Sequence, residues 1–141
     1  HGVKTHAESV YESVIRIPWI WVGAAPPYPK LDTPAIQADF APTVLAALNL
    51  PVPSHWSGLA LQTAPSSRRS FHAQPPFAAV IDYAGTARTK LIRDFRAKTT
   101  QVFDLAVDPA ELSPKASRSD NSSELSAGDA LIRHGYGDGQ R

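Results

Sequence analysis

The sequence predicts an α/β fold with an α/β unit in residues 1–64, a small antiparallel β-sheet in residues 65–112, and a linker and tail in residues 113–141. Two observations lead to this prediction. Long apolar segments, which suit buried strands and helices, occupy the first half of the chain. The second half contains short strand-like runs separated only by turn residues. Closely spaced strands with no helix between them favour an antiparallel meander.

The bulk composition limits the classes of function. The 141 residues carry a net charge of +1, which argues against a nucleic-acid binder, because such proteins normally show a basic face. The chain has no cysteine, so a disulfide framework is excluded. No apolar run approaches the roughly 20 residues that span a bilayer. The chain starts at His1 and contains no methionine, so we expect a part of the protein to precede it.

The first predicted element is a strand over Ile15 to Val22. Its residues are β-branched or aromatic and apolar on both faces, as in a sheet covered on two sides. Pro18 has no N–H and therefore marks an edge position or a bulge. The proline-rich stretch 24–30 is predicted to be an extended loop.

A helix is predicted near residues 40–49. Asp39 is its expected N-cap, and Pro42 falls in the first turn, where a missing N–H costs little. Asn49, which tolerates the left-handed conformation, and Pro51 are expected to end the helix. Apolar residues at helical spacing give it one apolar stripe: Phe40, Val44, Leu45, Leu48 and Leu50.

Four short runs are predicted to form the antiparallel sheet: residues 70–73, 78–83, 89–95 and 101–105. Gly85 and the polar stretch 96–100 supply the turns between them. The basic residues between Arg88 and Lys98 alternate with other residue types. We therefore interpret them as a solvated strand face rather than a phosphate-binding patch.

The candidate functional residues lie near the start of the chain. Two histidines and Lys4 fall within the first six residues, and polar groups at the mouth of a strand are typical of sites in open α/β sheets. Arg16 lies within the predicted apolar strand, so it is expected to pair with carbonyl groups or a carboxylate, because an unpaired buried charge is costly. Glu12 is either its partner or faces solvent. The five histidines show no consistent spacing, which argues against a histidine-rich metal carrier.

Three segments resemble the C-terminal part of the sulfatase and alkaline-phosphatase-like superfamily, including its lipoteichoic-acid-synthase-like and phosphoethanolamine-transferase-like branch. Residues 1–18 are similar to its H-G-x-x-x-H-[GA]-x-S-[LV]-Y-E-x-x-[IL]-R-[VI]-P segment. Residues 38–45, followed by residues 48–51, resemble its D-[IFL]-x-P-T-[LIV]-L-x-x-L-G-[IL] helix, with Asn49 in place of the usual Gly. Residues 102–111 resemble its [LV]-[YF]-D-L-x-x-D-P-x-E ending, after which Leu112-Ser113 departs from the usual Asn-Leu.

This resemblance implies the C-terminal part of an alkaline-phosphatase-like sandwich and a metal-dependent enzyme acting on sulfate or phosphate esters. A Ser, Thr or formylglycine nucleophile would form a covalent intermediate. The nucleophile and the ligands of a divalent metal (Ca, Mn, Mg or Zn) would lie in a missing N-terminal part, so these residues alone would be inactive. His6 falls where relatives place a histidine or lysine that contacts the substrate's oxygens, and it is the implied catalytic and substrate-binding residue. His1 belongs to the second H-G of the pattern and is expected to be a spectator.

The resemblance also implies partners and a location. The partners would be an ester substrate and the missing N-terminal part, which is where a membrane anchor would also lie. By analogy, the protein is expected to be extracytoplasmic, either periplasmic or membrane-associated. The alternative is a non-catalytic interaction module derived from such an enzyme. The strand over Ile15 to Val22 would lose its sheet partners and one covering face with the missing part. We therefore expect an exposed apolar surface and aggregation of residues 1–141 expressed alone.

Overall fold

A computed structural model describes residues 9–22 and 34–115. These residues fall into two compact units, one containing residues 9–17 and 69–115 and the other residues 18–22 and 34–68. The predicted loop at residues 24–30 and the tail beyond residue 115 lie outside the described residues. Within them, no helix is long and apolar enough to cross a membrane.

The second half of the chain forms a four-stranded sheet. Its strands are β1 (Ser67–Gln74), β2 (Phe77–Ala84), β3 (Ala87–Asp94) and β4 (Thr99–Asp104), in the order β1-β2-β3-β4. β2 pairs antiparallel with β3, and β3 pairs antiparallel with β4. The predicted antiparallel meander is therefore confirmed, and with the helices described below it confirms the α/β class.

Turn residues fix the register of the hairpins. Ala84 pairs with Ala87, which leaves a two-residue loop between β2 and β3. Gly85 occupies the first loop position with φ 62°, as a type II′ turn requires. Residues 95–98 connect β3 to β4, and Lys98 adopts a positive φ of 56° at the end of that turn.

Each face of the sheet carries an apolar cluster. One face buries Ala79, Ile81, Ile92 and Phe103, and is covered by residues that precede the sheet by more than fifty positions, namely Val10, Tyr11 and Ile15. The other face buries Ala78, Val80, Leu91 and Val102. The alternation of core residues along β2 and β3 is the period-two pattern of a strand with both faces in contact with protein.

Within residues 9–22 and 34–66, three short helical elements precede the sheet. They are α1 (Glu12–Ile15), a 3₁₀ turn (Gln37–Asp39) and α2 (Phe40–Ala47). After α2, Asn49 adopts φ 56°, as predicted. The N–H of Leu50 donates to the Leu45 carbonyl at 2.9 Å and the N–H of Asn49 to that of Ala46 at 3.1 Å, which is a Schellman motif.

The prediction of a strand over Ile15 to Val22 is wrong. Ile15 ends α1, and residues 16–22 belong to no strand or helix. Ile20 is 77% exposed and Val22 is 89% exposed. A strand needs a neighbour for its backbone hydrogen bonds, and no other described segment pairs with these residues. Their apolar composition therefore does not by itself produce a strand.

Candidate functional site

A fully buried lysine lies at the centre of one face of the sheet. Lys90 on β3 pairs in register with Ile81 on β2 and with Phe103 on β4, both members of the apolar cluster on that face. The Lys90 side chain is 0% exposed. Its Nζ lies 3.0 Å from Glu12 Oε1 and 2.8 Å from Glu111 Oε1. Two carboxylates therefore compensate an ammonium group that would otherwise be costly to bury.

The two carboxylates come from opposite ends of the described chain. Glu12 is the first residue of α1. Glu111 follows the turn after β4 and adopts φ 56°. In that turn the Asp108 carboxylate accepts the N–H groups of Leu112 at 3.1 Å and Ser113 at 2.8 Å. This turn places the Glu111 carboxylate against Lys90.

Glu111 also binds the main chain of α1. Its Oε2 accepts the backbone N–H of Glu12, so the side chain and the backbone of Glu12 are both held. Glu111 is buried, and Glu12 is mostly buried. Glu12, Lys90 and Glu111, named here the Lys90 triad, therefore join three segments that are far apart in sequence.

A histidine and a serine on β1 extend this polar group. His72 Nε2 lies 3.0 Å from the hydroxyl of Ser70, which is buried. Burial lowers the pKa of His72 below its ordinary value, the ammonium of Lys90 lowers it further, and the carboxylate of Glu12 acts in the opposite direction. A neutral His72 suits this location, because it adds no second positive charge beside Lys90.

A small cleft opens on the same unit. Its volume is about 240 Å³, and it is lined by Ser9, Val10, Tyr11, Phe77, Ile92, Asp94, Thr99 and Gln101. The hydroxyl of Tyr11 donates to Gln101 Oε1 at 3.0 Å. The hydroxyl of Ser9 is buried and has no hydrogen-bond partner within the described part of the chain.

The other unit contains a second buried carboxylate. Asp39 is 0% exposed, and its carboxylate accepts the N–H groups of Ile36 and Leu59, each at 2.8 Å. Arg68 Nη1 donates to Asp39 Oδ2 at 2.6 Å. The Asp39 carboxylate therefore accepts hydrogen bonds from the residue before the 3₁₀ turn, from the loop at Leu59 and from Arg68. Its side chain makes no N-cap hydrogen bond to α2. The predicted capping role of Asp39 is wrong in this respect.

The hydroxyl of Thr43 connects the same helix to the following loop. It donates to the Asp39 carbonyl at 2.7 Å and accepts the N–H of Leu61 at 3.1 Å. Thr43 is fully buried. The side chains of Asp39 and Thr43 thus hold the loop around residues 59–61 against α2 by accepting its backbone N–H groups.

The structure separates the two charged residues that the sequence analysis grouped near the site. Glu12 binds Lys90, not Arg16. Arg16 is the exposed C-cap of α1, and among the described residues its side chain makes no hydrogen bond or ion pair. The expectation that Arg16 is buried in a strand is wrong, because that strand is absent. Lys4 and His6 lie outside the described residues.

Lys90 is the residue that the sequence analysis missed. It was grouped with solvated basic residues, yet it is fully buried. Lys90 lies two residues before Ile92, so both side chains are on the same face of β3. Because Ile92 is apolar, this spacing could have predicted that Lys90 faces the core. A lysine at such a position needs carboxylate partners, and Glu12 and Glu111 both lie in the motif segments.

Residues 9–22 and 34–115 contain no group of three or more His, Cys, Asp or Glu side chains that could hold a metal ion. The buried charges in this part of the chain are paired with one another. Their arrangement fixes segments that are distant in sequence to one another.

Comparisons with solved structures found several similar chains, including two sulfatases. The chain matches no protein-family model and no curated protein. One solved structure, a candidate sulfatase from Bacteroides thetaiotaomicron VPI-5482, is similar over 68% of this chain, with 18% identity and a TM-score of 0.47. Another, a 2-O GAG sulfatase, is similar over 68% of the chain, with 16% identity and a TM-score of 0.43. The chain spans 23% of the length of each, and similarity at this level carries no argument about activity.

Proposed function

We propose that this chain is the C-terminal part of a metal-dependent, sulfatase-like enzyme that hydrolyses or transfers sulfate or phosphate ester groups through a covalent intermediate. The observation that carries the proposal concerns the three motif segments. Each of them supplies a carboxylate that anchors distant backbone or side chains. These carboxylates belong to Glu12, Asp39 and Glu111.

This pattern supports the proposal because buried carboxylates are costly unless they are paired. Residues that resemble a family motif by chance have no reason to coincide with the buried anchors of a fold. Here Glu12 and Glu111, from the first and third segments, bind the same Lys90 amine. The two segments therefore belong to one structural unit.

In the proposed enzyme, His6 contacts the oxygens of the transferred sulfuryl or phosphoryl group. A donor at that position stabilises the negative charge that develops on those oxygens in the transition state. Arg16 retains its proposed place near the site, now as an exposed cation four residues after Glu12. The role proposed for Glu12 is structural, since its carboxylate is held by Lys90.

The remaining parts of the proposal concern residues beyond this chain. The nucleophile and the ligands of a divalent metal (Ca, Mn, Mg or Zn) would be supplied by an N-terminal part of the same protein. A metal at such a site neutralises oxyanion charge. Residues 1–141 would then be inactive alone, and an extracytoplasmic location, with or without a membrane anchor, follows by analogy.

The test is turnover of aryl sulfate and aryl phosphate esters by the whole protein, with His6→Ala as the variant. Removing one preorganised donor is expected to lower kcat by about 10²- to 10³-fold while the metal content is unchanged. Metal content is measured in parallel by elemental analysis. The preferred ester identifies the reaction class.

His55→Ala is the matched control, because His55 is an exposed histidine outside the three motif segments and should leave turnover unchanged. Wild-type turnover in His6→Ala would remove His6 from the site. Loss of metal together with turnover would make His6 a ligand instead. Absence of turnover of any ester by the unmutated, metal-loaded protein would reject the proposed function.

A non-catalytic interaction module is the second candidate. The exposed apolar residues around α2 favour it, since Phe40 is 56% exposed and Leu48 is 62% exposed. Such residues suit either the remainder of an enzyme or a separate partner. A whole protein that holds no metal and turns over no ester, yet binds a partner through this surface, would fit this second candidate.

A further inference from the structure

We propose that Lys90 is a positioning residue, which holds α1 on the sheet through Glu12 and Glu111 and so fixes the segment that the proposed function assigns to substrate contact. This inference rests on the proposed function. Its structural basis is the Lys90 triad. Lys90 touches neither substrate nor metal in this proposal and acts through the two carboxylates, Glu12 and Glu111.

The contacts of the Lys90 triad fix the position of α1 on the sheet. Lys90 Nζ binds both carboxylates at 3.0 Å and 2.8 Å, and Glu111 also accepts the backbone N–H of Glu12. These contacts hold α1 at its first residue. Because Lys90 lies on the second of the two inner strands, its backbone is fixed by hydrogen bonds to β2 and β4.

The apolar contacts of Val10, Tyr11 and Ile15 also hold this segment on the sheet. Apolar contacts are non-directional, however, whereas a buried ion pair is satisfied at one position only. The apolar residues therefore supply attachment, and the triad selects the register of α1 along the sheet.

The triad contains two carboxylates and one ammonium group, so removal of Lys90 leaves Glu12 and Glu111 facing each other without a cation. Two negative charges that share one buried site repel each other, which should displace α1. In the described part of the chain, His72, with Ser70 beside it, is a further titratable group that lies close enough to Lys90 to feel its charge.

The experiment compares the whole protein with Lys90→Met, which keeps an unbranched apolar side chain but removes the charge. We expect kcat at neutral pH to fall by about 10- to 100-fold, as for a small misplacement of a catalytic segment, with the metal content unchanged. As the pH is lowered toward 5.5, the variant should recover part of the loss relative to the wild type, since protonation relieves the carboxylate repulsion. Measuring both proteins in a His72→Gln background removes the titration of His72 from the comparison.

Lys115→Met is the matched control. Lys115 also pairs with a carboxylate, that of Asp104 at 3.0 Å, but its side chain is 61% exposed. The kcat and the pH profile of the Lys115→Met variant should match those of the wild type. Lys90→Met with wild-type kcat and an unshifted pH profile would overturn the positioning role.

Two further variants cover the case in which Lys90→Met does not fold. Glu12→Gln and Glu111→Gln each leave one carboxylate to pair with Lys90, and each should lower kcat while the protein stays folded. Wild-type kcat in both would overturn the proposal. If the unmutated protein turns over no ester, the proposed function and the positioning role both fail. A double-mutant cycle between Lys90 and Glu111, measured by urea unfolding, then tests whether the two residues are coupled. Additive changes in the free energy of unfolding would reject that coupling.

Discussion

At the scale of single residues, His72 makes the folding stability depend on pH. Burial and Lys90 lower its pKa, so the folded pKa lies below the ordinary value of about 6.5 that applies in the unfolded chain. As the pH falls through that value toward the folded pKa, the unfolded state binds a proton that the folded state does not. The free energy of unfolding should therefore decrease over this window and be highest above it.

The measurement is urea unfolding at several pH values between 5.5 and 8 for the wild type and His72→Gln. The glutamine can still hydrogen-bond Ser70 but cannot titrate, so the decrease toward low pH should become smaller. His55→Gln, at an exposed histidine, is the control and should keep the wild-type slope. An identical pH dependence in His72→Gln and the wild type would contradict the assignment.

Residue-scale prediction from sequence succeeded where a local rule decides the conformation. Asn49 and Gly85 were predicted to end a helix and to make a turn, and both have positive φ. The environment of Lys90 was not predicted, because its partners lie 78 positions before it and 21 positions after it in the chain. Period-two alternation predicts which face a side chain occupies but not which charged groups from distant segments meet it there.

At the scale of elements, the Asp39 carboxylate holds together the 3₁₀ turn, the loop at Leu59 and the start of β1. Arg68→Met would remove the cation and leave this buried carboxylate with backbone donors only. We expect a loss of about 3 kcal/mol in the free energy of unfolding, the lower end of the range for breaking a buried pair. The loss is measured by urea unfolding of the protein.

Arg69→Met is the control, since it changes the adjacent arginine, whose pair with Asp82 is about one third exposed. Exposed pairs contribute up to about 1 kcal/mol, so the effect should be at least threefold smaller. Equal losses from Arg68→Met and Arg69→Met would show that burial does not distinguish the two pairs.

Element prediction from sequence depended on whether the element carries its own partners. The hairpins from β2 to β4 pair with their sequence neighbours, so short runs and turn residues were sufficient to predict them. The strand over Ile15 to Val22 had no such neighbour, and the apolar pattern alone was misleading. Gly58 shows a constraint that no pattern reveals, since a Cβ there would lie 2.0 Å from the Ala38 carbonyl oxygen.

At the scale of the whole molecule, the two units differ in how they bury apolar residues. The sheet unit encloses an apolar cluster on each face. In the unit of α2, the predicted apolar stripe is largely uncovered, although the helix itself was predicted to within two residues of its end. The sequence pattern identified a face that needs a partner, but it contains no information on which surface supplies that partner.

The last prediction follows from this uncovered face. Exposed apolar residues of that unit include Ile20, Val22, Phe40, Leu48 and Leu50. Monomeric proteins rarely expose contiguous apolar patches larger than a few hundred Å². Residues 1–141 expressed alone should therefore self-associate, with an apparent mass that rises with concentration in size-exclusion chromatography with light scattering.

A double variant identifies the surface responsible. Leu48→Glu with Leu50→Glu places two charges beside the end of α2, at positions 62% and 50% exposed, where they should disturb the fold little. The variant should therefore shift the distribution toward monomer. Val107→Glu, at an 81% exposed position in the sheet unit, is the control and should leave association unchanged. A wild-type chain that stays monomeric at high concentration and unfolds cooperatively would contradict the prediction, because the exposed apolar face of α2 would then need no covering surface.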